Sequence, residues 1–114
     1  MKFLLTFVLF LACMPVPARA EEALPERISL FNGIFAPSTL TIPANRKIKL
    51  TIANNDLIAI DFTSAALDSD IPIRPQSEAY IYLGPLAPGR YAFFDALHRA
   101  TSPGTLIVAP ATPP

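Results

Sequence analysis

The sequence predicts an all-β fold, a sandwich of about seven short strands, and three observations carry that expectation. Several windows alternate apolar and polar residues with period two. Thirteen prolines and four glycines cut the chain into short pieces with turn chemistry between them. No window sustains a 3.6-residue apolar period long enough for a helix. Seven strands at this spacing imply an antiparallel or mixed sandwich.

In chain order, the first strand is read at Arg27 to Phe31 and the second at Thr39 to Ile42. Lys47-Ile48-Lys49-Leu50-Thr51-Ile52 is the cleanest alternation, and Asn54-Asn55-Asp56 ends it with residues that tolerate left-handed backbone. A fourth strand is read at Ile58 to Phe62. Asp61 to Arg74 then forms a longer connection of weak periodicity, with room for a helical turn around Ser64 to Leu67. Glu78 to Leu83 follows. The turn Pro85-Leu86-Ala87-Pro88-Gly89 leads to Tyr91 to Phe94, and Pro103-Gly104 leads to Thr105 to Ala109. Glu21 to Pro25 reads as a flexible leader and Ala109 to Pro114 as a proline-rich tail.

Residues 1–20 read as a secretory signal peptide. Lys2 precedes an apolar run from Phe3 to Cys13, and Ala18-Arg19-Ala20 is a small-residue cleavage pattern. The run is too short for a transmembrane helix. Cys13 offers a lipid-attachment alternative, which Phe10-Leu11-Ala12 before it fit poorly. Cleavage leaves residues 21–114 as one domain of 94 residues. It carries seven basic and nine acidic residues, a net −2, with no basic stripe for nucleic acid. Cys13, Met1 and Met14 leave with the signal, so the mature chain contains no sulfur. A sulfur-ligated copper centre is therefore excluded, because it needs a Cys thiolate between two His and His98 is the single histidine. Hydrolytic catalysis lacks support as well. Ser64 has no glycine-flanked elbow, and no glycine-rich phosphate loop is present.

The order of motifs resembles the cupredoxin-like family, a Greek-key β-sandwich. Phe35-Ala36-Pro37 leads into Leu40-Thr41-Ile42-Pro43-Ala44, Pro85-Leu86-Ala87-Pro88-Gly89-Arg90-Tyr91 follows, and Phe93-Phe94-Asp95-Ala96-Leu97-His98 comes near the end. The last segment is similar to the periplasmic cupredoxin-like component of bacterial ferrous-iron uptake systems (the FtrB type, related to the N-terminal domain of EfeO). That resemblance implies a metal site of Asp61, Asp70, Asp95 and His98, with copper or iron as the ion. It also implies a periplasmic iron-binding protein and an inner-membrane iron permease as partners. Thr63 and Ala96 stand where that branch has acids, so the charge offered to a cation is lower.

Oxygen donors with one imidazole suit iron, manganese, zinc or Cu(II). Asp95 and His98, three residues apart after an aromatic strand, converge if the chain turns there. Phe62, Phe93 and Phe94 would then wall the site and lower its dielectric. Plainer readings stand beside these. His98 next to Arg99 fits an exposed loop, and Asp95 fits a turn opened by its own side chain. Asp61 in an apolar strand fits an ion pair with Arg74 or Arg90, and Asp68 and Asp70 fit solvated acids. Two functions remain open: a metal-binding protein of iron uptake with at most an accessory ferroxidase-type role, and a metal-free binding or scaffold module.

Overall fold

The computed structural model describes residues 22–110. The signal segment read at 1–20 and most of the proline-rich tail lie outside the described residues. Nine strands form, with no helix among the described residues: β1 Leu24–Phe31, β2 Ile34–Ala36, β3 Thr39–Pro43, β4 Ile48–Asn54, β5 Ile60–Ser64, β6 Ser69–Ile73, β7 Ser77–Leu83, β8 Gly89–Asp95 and β9 Gly104–Ala109. Two sheets result, β2-β1-β4-β7 and β3-β9-β8-β5-β6. Both are mixed, because β1 runs parallel to β4 and β3 parallel to β9. The expected Greek-key sandwich is thus present, with two strands more than expected.

Both additional strands have a physical origin. Asn32 and Gly33 both have positive φ, and Phe31 pairs with Ile34, so Asn-Gly makes a two-residue hairpin turn that adds β2. The connection read at Asp61 to Arg74 is a second hairpin, β5–β6. Ala65 to Asp68 is its turn, closed by the Asp68 N–H donating to Ala65 O at 3.1 Å. Ser64 Oγ accepts from Leu67 N at 3.1 Å and donates to Ala92 O at 2.6 Å, fixing that turn to β8. The expected helical turn is therefore a β-turn. The leader is also shorter than read. Leu24 and Pro25 belong to β1, where Leu24 N donates to Lys47 O at 2.9 Å and the strand aligns with β4.

Alternation places the core. Ile28 and Leu30 of β1, Ile48, Leu50 and Ile52 of β4, and Leu106 and Val108 of β9 are all buried between the sheets. Each such side chain contributes roughly 1.5–3 kcal/mol of burial free energy. Phe35, Phe62 and Phe93 meet at the centre, with Phe93 5.0 Å from Phe35 edge-to-face and 5.1 Å from Phe62. Phe94 points the other way and is 43% exposed, lining a shallow pocket with Thr63 and Asp70 on the outer face. β5 begins two residues later than expected. Asn54, fully buried, donates through Nδ2 to Ile58 O at 2.8 Å and Arg74 O at 3.0 Å, holding 55–59 as a loop.

Candidate functional site

Three loops meet at one pole of the sandwich: the Asn32-Gly33 turn, the β4–β5 loop and the β8–β9 loop. They enclose an open cleft of about 580 Å³ whose lining includes Phe31, Asp56, Leu57, Ile58, Asp95 and His98. Asp56 ties two of the loops by accepting from Asn32 N at 2.6 Å, and Asn54 Oδ1 in turn accepts from Asp56 N at 3.0 Å. The rim is apolar. Leu57 is 83% exposed, and Phe31 and Ile58 are also more than half exposed.

Asp95 organises this pole. It ends β8 on the inward face and is 3% exposed. Its Oδ1 accepts from the N–H groups of Asp61 and Leu97, both at 3.0 Å. Its Oδ2 lies 2.8 Å from His98 Nδ1. A carboxylate only accepts, so Nδ1 carries a proton, and in the neutral ring this leaves Nε2 with the free lone pair. His98 N donates to Asp95 O and Thr101 N to His98 O, wrapping the loop around the ring. The turn-opening role read for Asp95 is thus present in its bond from Leu97 N, and the expected convergence of Asp95 and His98 takes the form of a direct hydrogen bond between them.

Asp61 and Asp70 lie elsewhere. Phe62 pairs with Asp95, so these two share the inner face, and neighbouring Asp61 leaves on the outer face. Thr63 pairs with Asp70, which places Asp70 on that outer face too. The four expected residues thus divide into two pairs on opposite faces of one sheet, joined through the Asp61 N–H to Asp95 bond. Among the described residues, no three His, Cys, Asp or Glu side chains come together as a group that could hold a metal ion. A sulfur-ligated copper centre does not fit these donors.

Asp61 makes no ion pair with Arg74 or Arg90. Its Oδ1 is buried without a hydrogen-bond partner. A side-chain hydrogen bond with Asp70, burial, and repulsion from Asp70 and Asp95 push its carboxyl up from 3.8 to about 6, against the Thr63 hydroxyl. The folded chain therefore holds this proton more tightly than the unfolded chain does. The stability it supplies is complete below a pH of about 4 and is lost as pH rises through about 6. Asp61→Asn should remove that loss, melting above the parent at neutral pH by roughly 1 kcal/mol after solvent screening, or about 4–8 °C. Melting curves between pH 4 and 7.5 check this; parallel pH profiles for variant and parent would contradict it.

Sequence reading missed Asn54, Asp56 and Ser64 as organising residues. Asn54-Asn55-Asp56 was visible as a polar turn, and its composition alone did not say that Asn54 would be buried and Asp56 would face the cleft.

Comparison with known proteins supplies the remaining context. The family model described as the cupredoxin-like domain matches residues 2–108. An uncharacterised protein of Rickettsia prowazekii (strain Madrid E), RP394, is 32% identical over 88 residues, covering 77% of this chain and 70% of its own length. Among solved structures, dithionite-reduced auracyanin from Roseiflexus castenholzii superposes with a TM-score of 0.65 at 16% identity, covering 77% of this chain and 98% of that one. The metal-binding domain of the Streptococcus pneumoniae D39 Cu(I)-exporting P-type ATPase CopA, with Cu(I), gives 0.62 at 17% identity over 77% and 96%. The purple cupredoxin of Nitrosopumilus maritimus gives 0.55 at 17% over 74% and 99%. At these identities the structural likeness shows the fold alone.

Proposed function

Because this chain belongs to the cupredoxin-like domain family, we propose that it is an exported, periplasmic metal-binding protein that holds copper or iron through His98 and passes it on. The observation that carries this reading is the Asp95–His98 bond. A buried carboxylate that takes one ring proton and leaves the other nitrogen to an open cleft is the usual support of a metal-binding histidine. Asp56 on the cleft wall adds an oxygen donor of the class that suits Cu(II) and iron. A bound ion would supply one-electron chemistry. So sparse a donor set leaves most coordination positions to water or to a partner, which suits transfer better than storage. The apolar rim of Leu57, Ile58 and Phe31 gives a partner a place to dock. Assignment to iron uptake, beside a periplasmic iron-binding protein and an inner-membrane permease, rests on the resemblance of the Phe93 to His98 segment to that branch.

A second reading is a metal-free binding module. It is favoured by Asp95, whose two oxygens are already satisfied within the protein.

Titration of the protein with Cu(II) and Fe(III) separates the two. The metal reading expects one equivalent bound by the parent, loss of binding in His98→Ala, and affinity about 10–100-fold weaker in Asp95→Asn. If the parent binds neither ion, the metal-free reading stands.

A further inference from the structure

We propose that the free edge of β7 receives an extended acidic segment of another polypeptide as a fifth strand of the β2-β1-β4-β7 sheet. Each sheet has two edge strands, and three of the four are blunted. β2 has three residues, β3 ends in Pro43, and β6 carries Pro72. β7 has none of these features. Its seven residues, Ser77–Leu83, contain no proline and no inward-facing charge, and they pair only with β4. No other backbone hydrogen bond reaches them among the described residues. Natural edges are usually protected against strand addition, so a long unprotected one marks a pairing surface.

The side chains over this edge select the occupant. Tyr80 and Tyr82 stand outward, 56% and 55% exposed, with their rings edge-to-face at 5.7 Å. Lys47 lies over the Tyr82 ring at 4.9 Å and Lys49 over the Tyr80 ring at 4.3 Å. Each ammonium group is thereby held over a ring that β7 carries, which lowers the ordering cost of engaging a carboxylate. The one acid of the strand, Glu78, is neutralised by Arg27 at 2.6 Å. An added strand lies one inter-strand spacing beyond β7, about 4.8 Å away. Glutamate or aspartate at its alternate positions meets Lys47 and Lys49. Pairing of two β7 edges would instead bring four lysines onto one face, so a second copy is disfavoured. Beside β7 the face exposes tyrosine and no Phe, Leu or Ile, and so lacks the apolar anchors a bilayer surface would take. This surface is separate from the His98 cleft, and its test does not depend on metal binding.

The probe is a synthetic peptide in which glutamate alternates with valine, added to the protein while backbone amide exchange is followed. Exchange at residues 77–83 should slow at least tenfold. Lys47→Glu/Lys49→Glu should weaken binding at least about tenfold, with Lys47→Gln/Lys49→Gln intermediate and His98→Ala unchanged. Unaltered exchange in β7 at millimolar peptide would overturn the proposal, as would protection mapping to another strand. Equal binding of the glutamine-for-glutamate peptide would also overturn it. So would β7 protection that appears with protein concentration alone, or with phosphatidylglycerol vesicles in place of the peptide.

Discussion

Asp95→Ala should cost the fold about 3 kcal/mol, a large share of the stability of a domain this size. The carboxylate is nearly fully buried and satisfies three donors from three places: Asp61 N on β5, Leu97 N in the following turn, and the His98 ring. Alanine leaves both N–H groups without an acceptor at the closed end of the β5–β8 ladder, which the register shows to be only two residue pairs long. The Ala96 N to Asp61 O bond at 3.0 Å is then the main tie left between these strand ends. Asp95→Asn behaves differently. Its carbonyl oxygen can still accept from Asp61 and Leu97, so most of the stability remains. The amide, however, offers a proton to His98 Nδ1 where the carboxylate took one, and the ring proton moves to Nε2. Denaturant midpoints for the two variants, read beside Cu(II) titrations, separate the fold-holding role from the ring-orienting one. An alanine variant within about 0.5 kcal/mol of the parent would show that the hub is dispensable.

How much of this was legible before the structure follows the range of the interactions concerned. The strands at Lys47 to Ile52 and Thr105 to Ala109 are visible because period-two burial is a local property, and both are found where read. β2 was equally local. Asn32-Gly33 between apolar residues is a strong hairpin signal, and weighing it would have added that strand. β6 is obscured by Pro72, which lowers strand propensity in general but is tolerated on an edge, and β6 is an edge. In the site, the closeness of Asp95 and His98 could be anticipated because they lie three positions apart in one turn, although it was read as convergence on an ion and not as a direct hydrogen bond. The face of Asp61 was equally local. In Ile60-Asp61-Phe62-Thr63 the alternation turns the two apolar side chains inward and both polar ones outward, and a one-residue slip of register would bury Asp61 and Thr63 while exposing Ile60 and Phe62. The expectation of Asp61 beside His98 came from the resemblance and set that alternation aside. The exposure of Phe94 follows in the same way, since it alternates with two inward residues.

Gly104→Ala tests the aromatic centre that carries both sheets, and it should destabilise by about 2–3 kcal/mol although it adds a single methyl group. Gly104 is buried at the start of β9, opposite Phe93. A Cβ built there overlaps the Phe93 ring at Cε1 and Cζ and lies 3.0 Å from Ser38 O. Backbone conformation is not the obstacle, because Gly104 has no positive φ. Space is. Phe93 is fully buried and held between Phe35 and Phe62, so its ring cannot move aside without displacing two other buried rings. Interiors packed at this density respond to overfilling by strand displacement or by forced rotamers. Phe93 is two residues from Asp95 on the same face of β8, so a shift of that ring should also disturb the Asp95–His98 bond. Two measurements therefore move together in the variant: the denaturation midpoint falls, and the His98 imidazole resonances shift in the NMR spectrum. Phe93→Leu in the Gly104→Ala background should recover part of the midpoint by opening room for the methyl group. If the single variant melts with the parent, the ring has an alternative position and the centre is not rigid; if the double variant recovers nothing, the loss arises from the Ser38 side of the contact.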